Sequence, residues 1–369
     1  MRSSESPYTC GVITTAADAS GNMEGAAFAL EVPPPSPTPS PSAQSRRSLA
    51  VAHLPLDERE ALRRRIDCWT RAGMWQENAI QSDDDDPYAE NVTWVPSGGC
   101  PDAPLRPFSM PKLCALLNRR PVHMIGDSVV RDFLSSLLYW DSGWERGQHN
   151  HGHPPSAEEL LAKGFRDDQV MCRGMPAGAT HLYLLHTYSF HNNDNDGNSL
   201  SWYFNESVSR GIVPRIVLLN QGLHMRRDAF DRIHHALTTL LPAYPDALFL
   251  WIATTTPHRH CHNYTRPVSS PLPQVWDDLW NWKLVDELNT QVQNAIRNDT
   301  FPGVLFVDIH SPMAFRPEIH PASGAGLSTR FGRTFPDGDC VHYTGTREYA
   351  IWRRLIYNVL AEVSVVLQA

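Results

Sequence analysis

The stretch PVHMIGDSVVRDFLSSLLYW, residues 121–140, decides the fold. Its first five residues, Pro121–Ile125, form a short apolar run that breaks at Gly126. Beyond the break, apolar residues fall at Val130, Phe133, Leu134, Leu137 and Leu138, which is helical spacing. A strand therefore turns through Gly126-Asp127-Ser128 directly into an amphipathic helix. The alternation continues downstream. His181–Phe190, Arg215–Leu219, Leu248–Ala253 and Val304–Ile309 read as strands. Phe230, Ile233, Leu237 and Leu240 mark one helix, Val275–Ile296 a long one, and Tyr349–Leu367 a terminal one. Short apolar strands between helices predict an α/β domain, three layers deep, with a mostly parallel sheet covered on both faces. Active sites of such sheets lie outside the carboxyl ends of the strands. Ser128, Asn220 and the loop after Ile309 stand at those ends.

Upstream the pattern is weaker. Residues 1–57 read as a disordered arm, because the tract VPPPSPTPSPS at 32–42 suits neither helix nor sheet interior. Residues 58–110 read as an irregular N-terminal lobe packed on the catalytic domain, with a short helix near Glu58–Arg65. The acidic run Asp83–Asp86 reads as a solvated loop. The catalytic domain is expected over residues 111–369.

Composition narrows the function. A net charge of −8 argues against a nucleic-acid partner, which favours a basic balance. No window reaches the roughly 18 apolar residues of a spanning helix, and MRSSESPYTC has no apolar signal-peptide core. Seven cysteines without a C-x-x-C pair, and four N-x-[ST] sequons at Asn91, Asn205, Asn263 and Asn298, point instead to the secretory pathway, Golgi lumen or outside the cell.

Three short blocks carry chemistry. In Gly126-Asp127-Ser128 the serine N–H sits at a helix start, where an oxyanion is stabilised. The plainer reading makes Ser128 or Asp127 a helix cap. In Asp339-Cys340-Val341-His342 an aspartate and a histidine three apart can share a site. His342 then takes the serine proton and Asp339 fixes its tautomer. In Asn220-Gln221-Gly222-Leu223-His224 the Asn220 amide can donate to the oxyanion, and Gly222 permits a tight turn. Ser, Asn and Asp-x-x-His in this order, each at a strand end or helix start, are more specific than any one block. No G-x-S-x-G elbow is present, which disfavours an α/β-hydrolase.

These blocks, with Arg131, resemble those of the SGNH (GDS-serine) superfamily. They are most similar to its PC-esterase and trichome-birefringence-like branch, which includes wall-polysaccharide O-acetyltransferases. Cys68, Gly73, Trp75, Trp94, Pro96, Cys100 and Phe108 are similar to that family's N-terminal lobe. The resemblance spans about residues 66–365. It implies Ser128 as nucleophile, His342 as general base, Asp339 as its partner, and Asn220 with the Ser128 N–H as oxyanion hole. The family adds a glycine donor, for which Gly174 and Gly178 are the candidates. It implies disulfides Cys68–Cys100 and Cys261–Cys340. Cys114 and Cys172 are then guessed to pair, leaving Cys10 in the arm. The chain departs from the plant pattern after His342, where Tyr343-Thr344-Gly345 replaces a further cysteine.

The expected activity is O-acyl, chiefly O-acetyl, transfer to a carbohydrate or glycoconjugate through a serine acyl-enzyme. A hydrolytic esterase and an inactive carbohydrate-binding adaptor are the alternatives. No bound cofactor or metal is expected. The acyl donor, acetyl-CoA or an acyl ester, is a co-substrate, delivered by a membrane partner or present in the lumen. Arg131 and His224 are candidate substrate contacts, and Arg131 could equally pair with an acidic neighbour. His258, His260 and His262 form a histidine tract whose spacing alone does not make a metal site.

Overall fold

The computed structural model describes residues 48–77, 92–98, 100, 104–141, 168–172, 174–186, 190, 200–209, 211–224, 226–258, 260–272, 284–320, 328–330, 333–335, 340–343 and 349–367. In chain order the elements are α1 (Leu56–Arg71), β1 (Gly73–Glu77), β2 (Val92–Pro96), α2 (Met110–Leu117), β3 (Val122–Gly126) and α3 (Ser128–Asp141). Then follow β4 (Asp168–Met171), β5 (Thr180–His186), α4 (Leu200–Ser209), β6 (Ile216–Leu219), α5 (Ala229–Ala243) and β7 (Leu248–Ile252). The last third adds α6 (Leu284–Arg297), β8 (Val304–Val307), α7 (His310–Met313), β9 (Ser328–Arg330), β10 (Arg333–Phe335) and α8 (Ala350–Val366).

Six strands form one sheet in the order β4-β5-β3-β6-β7-β8, with β4 antiparallel and the rest parallel. Every residue of β3, β6, β7 and β8 is buried. Successive side chains of a strand face opposite ways, so burial of all of them means that both faces of the sheet are covered. This is the α/β arrangement that the alternating runs predict. The chain leaves β3 for β5 on one side and later returns to β6 on the other. Its connections therefore diverge at the carboxyl end of β3, a topological switch point of the kind where open sheets bind ligands. Gly126, Asp127 and Ser128 are at that end.

The helix predicted from Val129 is α3, and its expected face is the buried one. Val130, Phe133, Leu134 and Leu137 are each at most 6% exposed. Burial of such side chains contributes about 1.5–3 kcal/mol apiece. His123, inside β3, is a core histidine: Nδ1 meets the Tyr203 hydroxyl at 2.8 Å, and burial pushes its pKa down to about 3. It is neutral there.

Residues 48–57 differ from the expected arm. Leu49, Ala50 and Val51 are buried in the core, and α1 starts at Leu56 behind Pro55. The fold therefore takes in chain that the proline–serine tract obscures at the sequence level. The tract itself, Cys10 and the acidic run Asp83–Asp86 lie outside the described residues. The helix read over Val275–Ile296 is described from Leu284, since residues 273–283 also lie outside them.

Helix α8 packs against α1 and α2. It is buried nearly all round and carries three buried polar residues, each with a partner. Asn358 Oδ1 accepts from Arg106 N–H and its Nδ2 donates to Arg106 O, both at 2.9 Å. Glu362 pairs with Arg106 at 2.9 Å and with Arg65 of α1 at 3.4 Å. Arg353 donates to the Ser136 hydroxyl of α3. Three cysteine pairs stand at disulfide distance: Cys68–Cys100, Cys114–Cys172 and Cys261–Cys340, with Cα atoms 5.5–5.8 Å apart. Among the described residues, no helix is long and apolar enough to cross a membrane. The sequon residues Asn263 and Asn298 are exposed, Asn91 lies outside the described residues, and so does the side chain of Asn205.

Candidate active site

The turn after β3 is built for close approach. A Cβ on Gly126 would lie 2.5 Å from the Val130 side chain and 2.9 Å from the Asn220 carbonyl oxygen, so only glycine fits. Asp127 follows and is 1% exposed. Its Oδ1 accepts the Val129 N–H at 2.9 Å, capping α3. Its Oδ2 accepts the Leu223 N–H at 2.8 Å, which draws the loop after β6 against the serine turn. Gly222 makes that contact possible. Its φ is +71°, and a Cβ there would sit 2.0 Å from the Asp127 carboxyl carbon. Both the backbone conformation and the space demand glycine.

Because Asp127 caps the helix, the Ser128 hydroxyl is left for another partner. Ser128 Oγ lies 2.7 Å from His342 Nε2, across 214 residues of sequence. The Ser128 N–H is in the first turn of α3, where no intrahelical carbonyl takes it and the helix dipole favours negative charge. Tyr349 steadies the same turn by donating its hydroxyl to the Val129 carbonyl at 3.2 Å.

His342 reaches the serine from a loop held at several points. Cys340 is tied to Cys261. His258 N–H donates to the Cys340 carbonyl at 3.1 Å, and Cys261 N–H to Cys340 Sγ at 3.1 Å. His320 Nδ1 meets the His342 carbonyl oxygen at 2.9 Å. Asp339, the expected partner of His342, lies outside the described residues.

The other sequence candidates fall differently. His224 comes to the site. It is half-buried, and its pKa is lowered by burial and by His342, against the pull of Asp127. Arg131 is 6% exposed, and its Nε and Nη2 donate to Asp132 Oδ1 at 3.2 and 3.0 Å. Of the two readings of Arg131, the pairing with an acidic neighbour is the one the structure displays, beneath the serine turn. Asn220 is 1% exposed, and its Nδ2 donates to the Ile252 carbonyl at 2.8 Å, with the Thr254 hydroxyl at 3.4 Å. The amide thus joins the carboxyl ends of β6 and β7.

Gly174 and Gly178 are corrected. They precede β5, which runs parallel to β3, so they stand at the amino end of the sheet. Six residue steps of β5, about 20 Å at 3.3 Å each, separate that end from the level of Gly126. Gly178 N–H is already taken by the Met175 carbonyl, at 2.9 Å.

Two further networks were not read from the sequence. At the end of β7, Thr254 exchanges two hydrogen bonds with the Asn289 amide, 3.0 and 2.9 Å. Its carbonyl also meets His310 Nδ1 at 3.0 Å, while His310 Nε2 pairs with Asp286 at 3.1 Å. Burial works against a charge on His310, but the Asp286 hydrogen bond and the nearby Asp308 outweigh it and raise the pKa. In the second network His258 turns inward, 3% exposed, to His320 at 2.7 Å. The histidine tract is thereby split: His258 is buried, His260 is exposed, Cys261 is in a disulfide, and the His262 side chain lies outside the described residues.

The arrangement can polarise a serine hydroxyl and stabilise an anion beside it. No family model matches this chain, and no curated protein matches it.

Proposed function

We propose that this protein is a serine acyl-transfer enzyme of the GDS-serine type, related to the PC-esterase and trichome-birefringence-like branch, that moves an acetyl group onto a carbohydrate hydroxyl. The observation that carries the reading is the 2.7 Å contact between Ser128 Oγ and His342 Nε2 at the switch point of a parallel sheet. The rest of the site is consistent with it. His342 Nε2 takes the Ser128 proton as Oγ attacks the acyl carbon of the donor, an acyl ester or thioester such as acetyl-CoA. The tetrahedral oxyanion draws on the Ser128 N–H and the positive end of α3. The intermediate collapses to an acyl-serine, and the donor's leaving group departs with the proton from His342. A sugar hydroxyl then gives its proton to His342 and attacks the acyl carbon, and as the second tetrahedral intermediate collapses His342 returns that proton to the departing Ser128 Oγ. Asp339 is the proposed partner of His342 Nδ1. His224, beside His342, is the side chain proposed to meet the acceptor. The disulfides favour an oxidising compartment, and the Golgi lumen with a membrane partner supplying donor is the proposed setting.

The test is a pre-steady-state assay with p-nitrophenyl acetate, with and without free glycans. The reading expects a burst of about one p-nitrophenol per chain, absent from Ser128→Ala, and a slow phase that sugar acceptors accelerate with O-acetyl glycan as product. Acceleration by water alone, with net acetate release, makes the protein an esterase. No burst from folded enzyme refutes acyl transfer.

A further inference from the structure

Two buried tyrosines stand behind the Ser128–His342 pair, and the acyl-transfer scheme leaves both unused. Tyr349 is 1% exposed and lies at the start of α8. Its hydroxyl donates at 3.2 Å to the carbonyl of Val129, the residue after Ser128. Tyr343 is 2% exposed and follows His342 directly. The two rings meet edge to face, with centroids 5.7 Å apart and 89° between planes. One line of contacts therefore runs from Ser128 through Val129, Tyr349 and Tyr343 to His342. It forms a closed circuit with the 2.7 Å contact between Ser128 Oγ and His342 Nε2.

We propose that Tyr349 is a positioning residue: with Tyr343 it braces the turn of Ser128 against the loop of His342 and so sets the reach from hydroxyl to imidazole. This role rests on the reading of Ser128 as nucleophile and His342 as general base. Tyr349 acts on the reacting atoms through Val129 and Tyr343.

A buried phenol takes a hydrogen-bond partner wherever one is at hand, so the choice of carbonyl carries the argument. The Val129 carbonyl already belongs to α3, where it takes the amide N–H four residues on. The phenol adds a second bond to it. The Val129 N–H is held as well, by Asp127 Oδ1 at 2.9 Å. The residue after Ser128 is thus fixed through both of its backbone polar groups. The Tyr349 ring is held in turn. Phe133 of α3 and Trp352 of α8 lie 5.8 and 5.5 Å from it, and 5.3 Å from each other. Close-packed among rings, the phenol has little room to swing away from Val129. On the other side Tyr343 stacks on His320, centroids 4.8 Å apart, and His320 Nδ1 meets the His342 carbonyl oxygen at 2.9 Å. The ring that Tyr349 touches and the backbone of His342 are therefore held by the same neighbour. The Tyr349 hydroxyl also stays a donor. Burial pushes its pKa well above the usual tyrosine value, Asp132, Tyr343 and Asp127 add to the rise, and Arg131 opposes it.

Removing the hydroxyl releases the Val129 end of the brace while the ring remains. The maximal rate at which a fluorophosphonate labels Ser128 should then fall by about fivefold, the equivalent of one neutral hydrogen bond. The half-saturating concentration of the probe should not change, because a phenol 1% exposed does not meet it.

The experiment compares full-length wild type, Tyr349→Phe and Tyr203→Phe. Tyr203→Phe is the control: it removes another buried phenol, bonded to His123 Nδ1 at 2.8 Å, which joins α4 to β3. Urea unfolding gives the stability of each, and labelling is read per folded chain. Both variants should lose stability, and only Tyr349→Phe should label more slowly. Equal rates for Tyr349→Phe and wild type overturn the brace. So does an equal slowing in Tyr203→Phe, which would make slow labelling a general result of a weakened core. If Tyr349→Phe does not fold, a crystal structure of wild type carrying the phosphonyl adduct decides. A Tyr349 hydroxyl bonded to the Val129 carbonyl sustains the proposal, and a phenol turned away overturns it. Failure of the enzymatic reading is distinct: wild type itself then takes no label at Ser128, and the positioning role falls with it.

Discussion

Substitution of Gly222 by alanine probes the joint between the two loops of the site. The new Cβ meets two obstacles. Its φ of +71° is a left-handed conformation, which costs a residue with a side chain about 1–2 kcal/mol. Its position, 2.0 Å from the Asp127 carboxyl carbon, forces that carboxylate away. Asp127 then loses its bonds to Val129 N–H and Leu223 N–H, each a hydrogen bond to a charged group worth about 1.5–3 kcal/mol. The sum is roughly 4–8 kcal/mol, a large part of the roughly 5–15 kcal/mol that holds a typical fold. Gly174→Ala is the internal control. Its φ is +77°, but nothing lies within 4 Å of the Cβ it would gain, so only the conformational cost of about 1–2 kcal/mol applies. Urea unfolding followed by tryptophan fluorescence measures both. Fluorophosphonate labelling of Ser128 below the transition measures the site. The expected order is a small loss with unchanged labelling for Gly174→Ala, and a loss at least 2 kcal/mol greater with slowed labelling for Gly222→Ala. Equal losses in the two variants, with equal labelling, would refute the role given to Asp127.

Other parts of the account are open to test in the same way. Replacing Cys261 and Cys340 by serine removes a cross-link between residues 79 apart, for which chain entropy gives about 4.5 kcal/mol, and labelling of Ser128 should slow as the His342 loop loosens. Asn220→Ala should destabilise by about 1–3 kcal/mol, since it strips the buried Ile252 carbonyl of its donor, while labelling of the folded protein changes little; a loss of about 100-fold in rate without a loss of stability would place Asn220 in the oxyanion hole instead. His310 has a raised pKa in the folded protein, so its contribution is full below the unfolded value of about 6.5 and fades as pH rises through the folded one. His310→Gln should therefore lose about 1 kcal/mol near pH 6, a figure reduced for the half-exposed Asp286 partner, and less near pH 9 in urea titrations.

The sheet was legible because its strands are buried on both faces and read as unbroken apolar runs between turn signals. Val122–Gly126 and Leu248–Ile252 appear in the sequence almost at their observed bounds. The α3 face was legible for the same reason, since helical period and burial coincide at Val130, Phe133 and Leu134. The buried residues before α1 were not. Leu49–Val51 is too short to show a period, and the proline–serine tract before it masks the change.

At the site, sequence order named Ser128 and His342, which the fold brings within 2.7 Å. It could not say where a polar side chain spends its hydrogen bonds. Asn220 is drawn to a carbonyl of β7, and Arg131 to the aspartate next to it. Both are local choices made by burial, which leaves no trace in a residue's spacing. Gly174 and Gly178 failed because strand direction, not proximity in sequence, decides which end of the sheet a loop occupies. His320 had no signal at all. It sits 62 residues from His258 in sequence, and only the folded chain makes them neighbours, at 2.7 Å.

The central claim is that Ser128 is a nucleophile activated by His342. Intact-protein mass spectrometry after treatment with a fluorophosphonate tests it most directly, on wild type, Ser128→Ala and His342→Ala. The account predicts one adduct per chain, mapped by peptide analysis to Ser128, absent from the serine variant and greatly slowed in the histidine variant. Folded wild-type protein that takes up no adduct, or one that maps to another residue, would contradict it.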